Sequence, residues 1–161
     1  MLYYYNSPIG VLKLISDGEA IIGLYFMDDD ISYINKELND ELNEELVLPV
    51  LKQCKNELDE YFNGTRKDFS VKVKTQGTAF MELCWNYLIT IPYGTTATYG
   101  DVARGIENPK AVRAVGGANN KNKISIIYPC HRVIGSDGKL TGYGGGLWRK
   151  EWLLQHEKKF I

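Results

Sequence analysis

The sequence predicts a mixed α/β chain, of the α+β kind, with a small N-terminal sheet domain followed by a helical C-terminal domain. Three observations carry this reading. β-rich runs broken by turn residues fill the first 27 positions, helical spacing of apolar residues dominates from Pro49 onward, and the charge changes sign between the halves. At 161 residues, with 44% hydrophobic and 24% charged side chains, the chain has an ordinary globular composition that accommodates one domain or two small ones. Its formal charge of -1 hides a division: residues 1–75 hold 8 Lys and Arg against 14 Asp and Glu, residues 76–161 hold 11 against 6. Gln76-Gly77-Thr78 is a break at that sign change, so the predicted domains are 1–75 and 76–161.

Leu2 to Tyr5, Val11 to Ile15 and Ala20 to Phe26 read as an antiparallel meander, with turns at Ser7-Pro8-Ile9-Gly10 and Asp17-Gly18. Between Asp28 and Glu45, Ile31, Ile34, Leu38 and Leu42 recur at steps of three and four, which predicts a surface helix with its charges on the opposite side. Pro49 suits the first turn of a further helix, with Leu51, Cys54, Leu58, Tyr61 and Phe62 on one side and Gly64 past the end. Phe69 to Val73 is predicted to return as a short strand.

In the second half Thr78 caps a helix whose apolar positions are Phe80, Leu83, Cys84, Tyr87, Leu88 and Ile91. Thr98 caps a short helix through Ile106, and Asn108-Pro109 caps another to about residue 119; the pair fits a helix-turn-helix or a plain helical hairpin. Ile124 to Tyr128 is predicted as a strand stopping at Pro129, while Val133-Ile134 and Leu140-Thr141 flank a Ser136-Asp137-Gly138-Lys139 turn. Trp148 to Lys159 closes as an amphipathic helix with Trp148, Trp152 and Leu153 at apolar positions.

Several function classes fall away. Three cysteines and two histidines form no CxxC pair, so no structural zinc site is expected. No phosphate-cradling glycine motif follows a strand, which removes the ATP and NAD readings. The odd cysteine count and the lack of a leader or membrane-length apolar run predict a reduced, cytoplasmic protein without membrane association.

Three stretches carry potential chemistry. Cys130 stands between Pro129 and His131-Arg132, where an imidazole and positive charge would lower a thiol pKa; the bland alternative is a buried cysteine beside a surface histidine. Adjacent side chains in an extended segment point apart, so a contact between Cys130 and His131 requires a bend or a bridging water. Gly142-Tyr143-Gly144-Gly145-Gly146 is either a structural turn or a loop that lets backbone approach a ligand. Ala111 to Ala118 presents small residues beside Arg113, suited to tight packing within the domain or to close approach to a nucleic-acid backbone.

Together, Pro129-Cys130-His131-Arg132-Val133, the run Asn108 to Ala118, Gly142 to Leu147, and Lys150-Glu151-Trp152-Leu153-Leu154 before His156-Glu157 closely resemble the O6-alkylguanine-DNA alkyltransferases, over about residues 77 to 159. The resemblance implies an RNase H-like N-terminal sheet domain and a winged-helix-like DNA-binding C-terminal domain. It implies DNA repair in which Cys130 takes the alkyl group from guanine O6 and keeps it as a thioether, with O4-alkylthymine as a second candidate substrate. Each molecule would act once, as a monomer on double-stranded DNA containing alkylated guanine, with no cofactor.

By the same resemblance, Glu157 orients His131, which deprotonates Cys130 through a water, and Tyr99 donates to the departing base. The damaged nucleotide must leave the stack; Arg113 would fill the gap, with Ala111, Ala114, Gly116 and Gly117 against the minor groove. Asn122 would tie the recognition helix to the active-site segment. Pro129, Val133, Tyr143 and Gly144 would wall the base pocket, with Gly144 leaving room for groups larger than methyl. Some relatives hold zinc in the N-terminal domain, but residues 1–75 contain one cysteine and no histidine, so no metal is expected. A cysteine hydrolase, or a sensor of damaged DNA that transfers nothing, are the alternatives.

Overall fold

The computed structural model describes residues 1–27 and 47–161, which form two compact units, Met1–Lys74 and Thr75–Ile161. The helix expected between Asp28 and Glu45 lies outside the described residues.

In the first unit, β1 (Leu2–Ser7), β2 (Gly10–Ser16) and β3 (Ile21–Phe26) form an antiparallel meander in that order. Its register pairs Tyr5 with Leu12 and Leu14 with Leu24, so the alternation that buries Leu12, Leu14 and Leu24 completely also fixes the pairing. α1 (Pro49–Phe62) begins on its proline and buries Leu51, Cys54, Leu58 and Tyr61, one stripe at helical spacing. Gly64 past its end has φ 82°, the left-handed conformation that glycine tolerates. The strand expected at Phe69 to Val73 is reduced to one parallel bridge between Ile21 and Val73. The reason is local: the backbone N–H groups of Ser70 and Val71 donate to the Glu57 carboxylate, at 2.7 and 3.1 Å, rather than to a neighbouring strand.

In the second unit, α2 (Ala79–Leu88) is capped by the Thr78 hydroxyl, which accepts from the Met81 N–H at 3.2 Å. It buries Cys84, Trp85 and Leu88, whereas Leu83, expected inside, is 54% exposed. The buried face is turned toward Trp85, whose indole N–H donates to the Ala118 carbonyl at 2.9 Å. A capping box between Thr98 and Asp101 opens α3 (Tyr99–Gly105). α4 (Val112–Asn120) starts later than the Asn108-Pro109 signal suggested, because the Asn108 carbonyl closes a turn with the Ala111 N–H at 3.0 Å before the helix begins.

β4 (Ala97–Thr98) and β5 (Val133–Ile134) pair in parallel. The strand expected at Ile124 to Tyr128 is instead a turn: the Tyr128 N–H reaches the Ile124 carbonyl at 3.1 Å and Ile126 has φ 71°. Leu140-Thr141 forms no strand either, since the Thr141 carbonyl is occupied by the Lys150 ammonium and the Tyr99 hydroxyl. α5 (Leu147–Lys159) is not amphipathic as expected. Trp148 is 57% exposed, and the buried stripe is Lys150, Leu153, His156 and Glu157, three of them ionisable.

Candidate active site

Cys130, His131 and Arg132 form one turn of 3-10 helix, all buried, held by the Cys130 N–H on the Tyr128 carbonyl and the Arg132 N–H on the Pro129 carbonyl. The segment is therefore not extended, and the objection that neighbouring side chains point apart does not apply to it.

His131 is fully buried, and its Nε2 lies 2.6 Å from Glu157 Oε2 on α5. Arg132 grips the same carboxylate, donating from Nε to Oε1 at 2.8 Å and from a terminal nitrogen to Oε2 at 3.1 Å. Its other terminal nitrogen donates to the Ile91 carbonyl at 2.8 Å. Burial alone would raise the Glu157 carboxyl, but His131 and Arg132 outweigh it and hold the group well below the usual carboxylate range. Burial pushes the His131 pKa down, against the pull of Glu157, so the imidazole is neutral at pH 7. With Glu157 ionised, the ring proton belongs on Nε2, which leaves a lone pair on Nδ1. That Nδ1 is buried and has no hydrogen-bond partner among the described residues.

Cys130 is 5% exposed. Burial raises its thiol pKa, while the Asn122 side chain, the Lys150 charge and the N–H groups of Cys130 and His131 pull it down without reversing the shift. The expectation of a thiol acidified at rest is thus not met, because the desolvation of a fully enclosed sulfur exceeds the local positive potential. The neutral His131 imidazole is the next residue in the chain.

Asn122 donates to the Tyr128 carbonyl at 2.9 Å and accepts from the Ile124 N–H at 3.0 Å, joining the end of α4 to the segment that carries Cys130. Asn119, a buried residue that sequence reading missed, adds a bond to the Cys130 carbonyl at 3.3 Å. Lys150 was also missed as a site residue. Fully buried, it donates to the carbonyls of Val133, Thr141 and Gly142, and burial lowers its pKa to about 8. It thereby fastens the glycine loop to β5. The signal was in the helix spacing, since Lys150, Leu153 and Glu157 fall on one stripe at steps of three and four. Arg132 was visible only as a neighbouring charge.

Pro129 and Val133 are buried beside Cys130. Burial pushes the Tyr143 phenol far up, with Cys130 adding to the shift. A Cβ added at Gly144 would meet nothing within 4 Å, which leaves that side open. Tyr99 donates its hydroxyl to the Thr141 carbonyl at 3.0 Å at the loop's edge. Arg113, Ala114 and Gly117 are exposed on α4, Ala111 and Gly116 are partly so, and a Cβ at either glycine would meet nothing. Tight packing within the domain therefore does not require those glycines.

Residues 79–159 match the family model described as 6-O-methylguanine DNA methyltransferase, DNA binding domain, and residues 1–75 match its ribonuclease-like domain. The chain belongs to the 6-O-methylguanine DNA methyltransferase family. Among relatives of this family, the methylated-DNA–protein-cysteine methyltransferase of Haemophilus influenzae is 46% identical over 156 residues, 96% of this chain and 84% of the relative. That of Methanosarcina acetivorans is 47% identical over 160 residues, 97% of this chain and 98% of the relative. The crystal structure of the Mycobacterium tuberculosis O6-methylguanine methyltransferase superposes with a TM-score of 0.83 at 39% identity, covering 100% of this chain and 95% of the other. A structure of the Mycobacterium tuberculosis protein in complex with DNA matches at the same TM-score of 0.83 and 38% identity, covering 99% of this chain and 93% of the other.

Proposed function

We propose that this methyltransferase repairs double-stranded DNA directly, moving the alkyl group of O6-alkylguanine irreversibly onto Cys130. The observation that carries the proposal is the buried chain from Glu157 to His131, whose Nδ1 keeps a lone pair with no hydrogen-bond partner among the described residues, in the residue next to a thiol that needs deprotonation. His131 takes the thiol proton through a water, and Glu157, held ionised by Arg132, stabilises the imidazolium that forms. The sulfur then attacks the alkyl carbon: the S–C bond forms as the C–O6 bond breaks, and the electron pair leaves with the guanine. Tyr99 gives up its bond to Thr141 to donate to the departing base. The product thioether has no ready leaving group, so each molecule acts once.

The base reaches the sulfur by rotating out of the duplex, at a cost of about a few kcal/mol. Arg113 fills the vacated stack, while Ala111, Ala114, Gly116 and Gly117 allow α4 close access to the minor groove. Pro129, Val133, Tyr143 and Gly144 wall the pocket, and Asn122 keeps the acceptor segment registered on α4. In this reading residues 1–75 support and 76–161 bind and react, the protein works as a cytoplasmic monomer, and no cofactor takes part. Among the described residues no helix is long and apolar enough to cross a membrane.

The test is intact and peptide-level mass spectrometry after mixing the protein with a slight excess of duplex containing O6-methylguanine. One methyl group on the Cys130 peptide, saturating at one per protein, is expected. Tight binding without an adduct would replace the proposal with a damage sensor, and repeated turnover would replace it with a hydrolase.

A further inference from the structure

The rim of the glycine loop carries a feature that the transfer chemistry does not use. Leu147 and Trp148 open α5 directly after Gly146 and are 48% and 57% exposed, two large apolar side chains together on the surface. The Trp148 ring is nevertheless held in place. Arg149 lies over it, with the guanidinium carbon 4.7 Å from the ring centroid, and the same arginine donates to the Gly145 carbonyl at 2.9 Å. Gly146, at φ 93°, lets the indole edge lie close to the loop: a Cβ there would come within 3.3 Å of the ring. Rigid exposed aromatics under a cation suit a flexible anionic chain, because stacking is tolerant of sequence and loses little entropy.

The surroundings indicate which chain. The glycine loop that leads into α5 adjoins the exposed face of α4 at its start, since the Cβ position of Gly142 is 3.5 Å from the Asn120 amide oxygen and 3.6 Å from the Tyr99 hydroxyl. Arg113, Gly117 and Asn120 fall along that face at helical steps of four and three. Residues 76–161 also carry the chain's excess of basic side chains, 11 against 6 acidic.

We infer that Trp148 is a DNA-positioning residue: its indole, steadied by Arg149, packs against the lesion-bearing strand beside the pocket mouth and holds the extruded nucleotide at the sulfur. This rests on the function proposed above. The residue is no part of the Glu157–His131–Cys130 relay proposed above, so its contribution belongs to the duplex substrate and not to the chemistry.

Single-turnover transfer rates from an O6-methylguanine duplex and from O6-benzylguanine free base, measured for wild type, Trp148→Ala and Trp148→Phe, separate the outcomes. Trp148→Ala is expected to lower the second-order rate on the duplex about fivefold or more while leaving the free-base rate within about twofold, and Trp148→Phe to recover most of the loss. An unchanged duplex rate in Trp148→Ala, or an equal fall with both substrates, would overturn the inference while leaving the transferase reading intact. Wild-type protein that alkylates with neither substrate would remove both together.

Discussion

Among the described residues the first unit buries one cysteine and one carboxylate, and the second buries two cysteines, Cys84 and Cys130, and one carboxylate, yet only Cys130 and Glu157 are arranged for chemistry. In the first, Cys54 is sealed among apolar side chains and burial lifts its thiol pKa to about 12. The nearby Glu57 accepts from two backbone N–H groups, the Gln53 amide and the Ser70 hydroxyl, and is held below the ordinary carboxylate range. Its remaining partner among the described residues is the Arg66 guanidinium at 3.8 Å, and none of these groups is an imidazole. In the second, Cys130 is as enclosed, but Asn122, Lys150 and two N–H groups oppose the effect of burial, and Glu157 leans on an imidazole with a lone pair to spare. Burial and a depressed pKa are common to both carboxylates. What distinguishes Glu157 is a partner, the His131 imidazole, whose other ring nitrogen keeps a lone pair with no hydrogen-bond partner among the described residues.

Exchanging equivalent residues tests that distinction. Cys130→Ala should abolish methyl transfer, a loss beyond detection in a radiolabelled-duplex assay, whereas Cys54→Ala should transfer normally and lose about 1–2 kcal/mol of stability to urea. Equal loss of transfer in both would mean that the cysteines act only through folding. Next, Glu157→Gln should slow transfer about 100-fold, the scale of a general base left unoriented. Glu57→Gln should leave the rate unchanged while costing about 1–3 kcal/mol, because the oxygen that accepts from the Gln53 amide and the Ser70 hydroxyl becomes an amino group, a donor facing donors. The check is the rate at matched folded fraction for the two variants.

The same contrast explains what was legible in the sequence. Elements specified by local pattern came through: the meander from period-two alternation, α1 from its proline and apolar stripe, α2 and α3 from their threonine caps. The strands expected at Phe69 to Val73, Ile124 to Tyr128 and Leu140-Thr141 did not form, each because a distant or turn partner took the backbone group a strand needs. In the site, the Cys130-His131 pair was visible because the residues are adjacent, and Glu157 because its motif was recognised. Arg132, Asn119 and Lys150 were not assigned, since their roles depend on burying polar side chains against carbonyls and carboxylates far along the chain. Trp148 misled the helix reading for the converse reason: an apolar residue was left outside while a lysine was taken in.

Lys150 sharpens the comparison through pH. Its pKa falls to about 8 in the folded chain from an ordinary value of 10.5, so between those values the unfolded chain holds more protons than the folded one. Stability therefore receives a contribution from this residue that grows as pH rises through that window. Lys150→Met should flatten the growth and, at pH 7, leave the Thr141 and Val133 carbonyls without their ammonium donor, at about 1–3 kcal/mol. Urea midpoints for both proteins at several pH values check this; parallel curves would mean that the amine titrates normally.

The smallest expected effect separates strain from function within the second unit. Glu107 and Ile126 are its two non-glycine residues with positive φ among those described, at 61° and 71°. Glu107 is exposed just past α3, where its N–H reaches the Arg104 carbonyl and the next N–H reaches that of Ala103, a helix ending that ordinarily uses glycine. Glu107→Gly should raise stability by about 0.5–1 kcal/mol and leave transfer unchanged, since the side chain makes no contact the site needs. Ile126 has the same backbone geometry but is 2% exposed, in the turn leading to Cys130. There, Ile126→Gly removes a buried side chain worth about 2–5 kcal/mol against a relief of about 1–2, so the net sign reverses. Thermal melting of the two variants should move in opposite directions. If both rise, the Ile126 side chain contributes little, and the turn before the acceptor cysteine is held by its backbone and Asn122 alone.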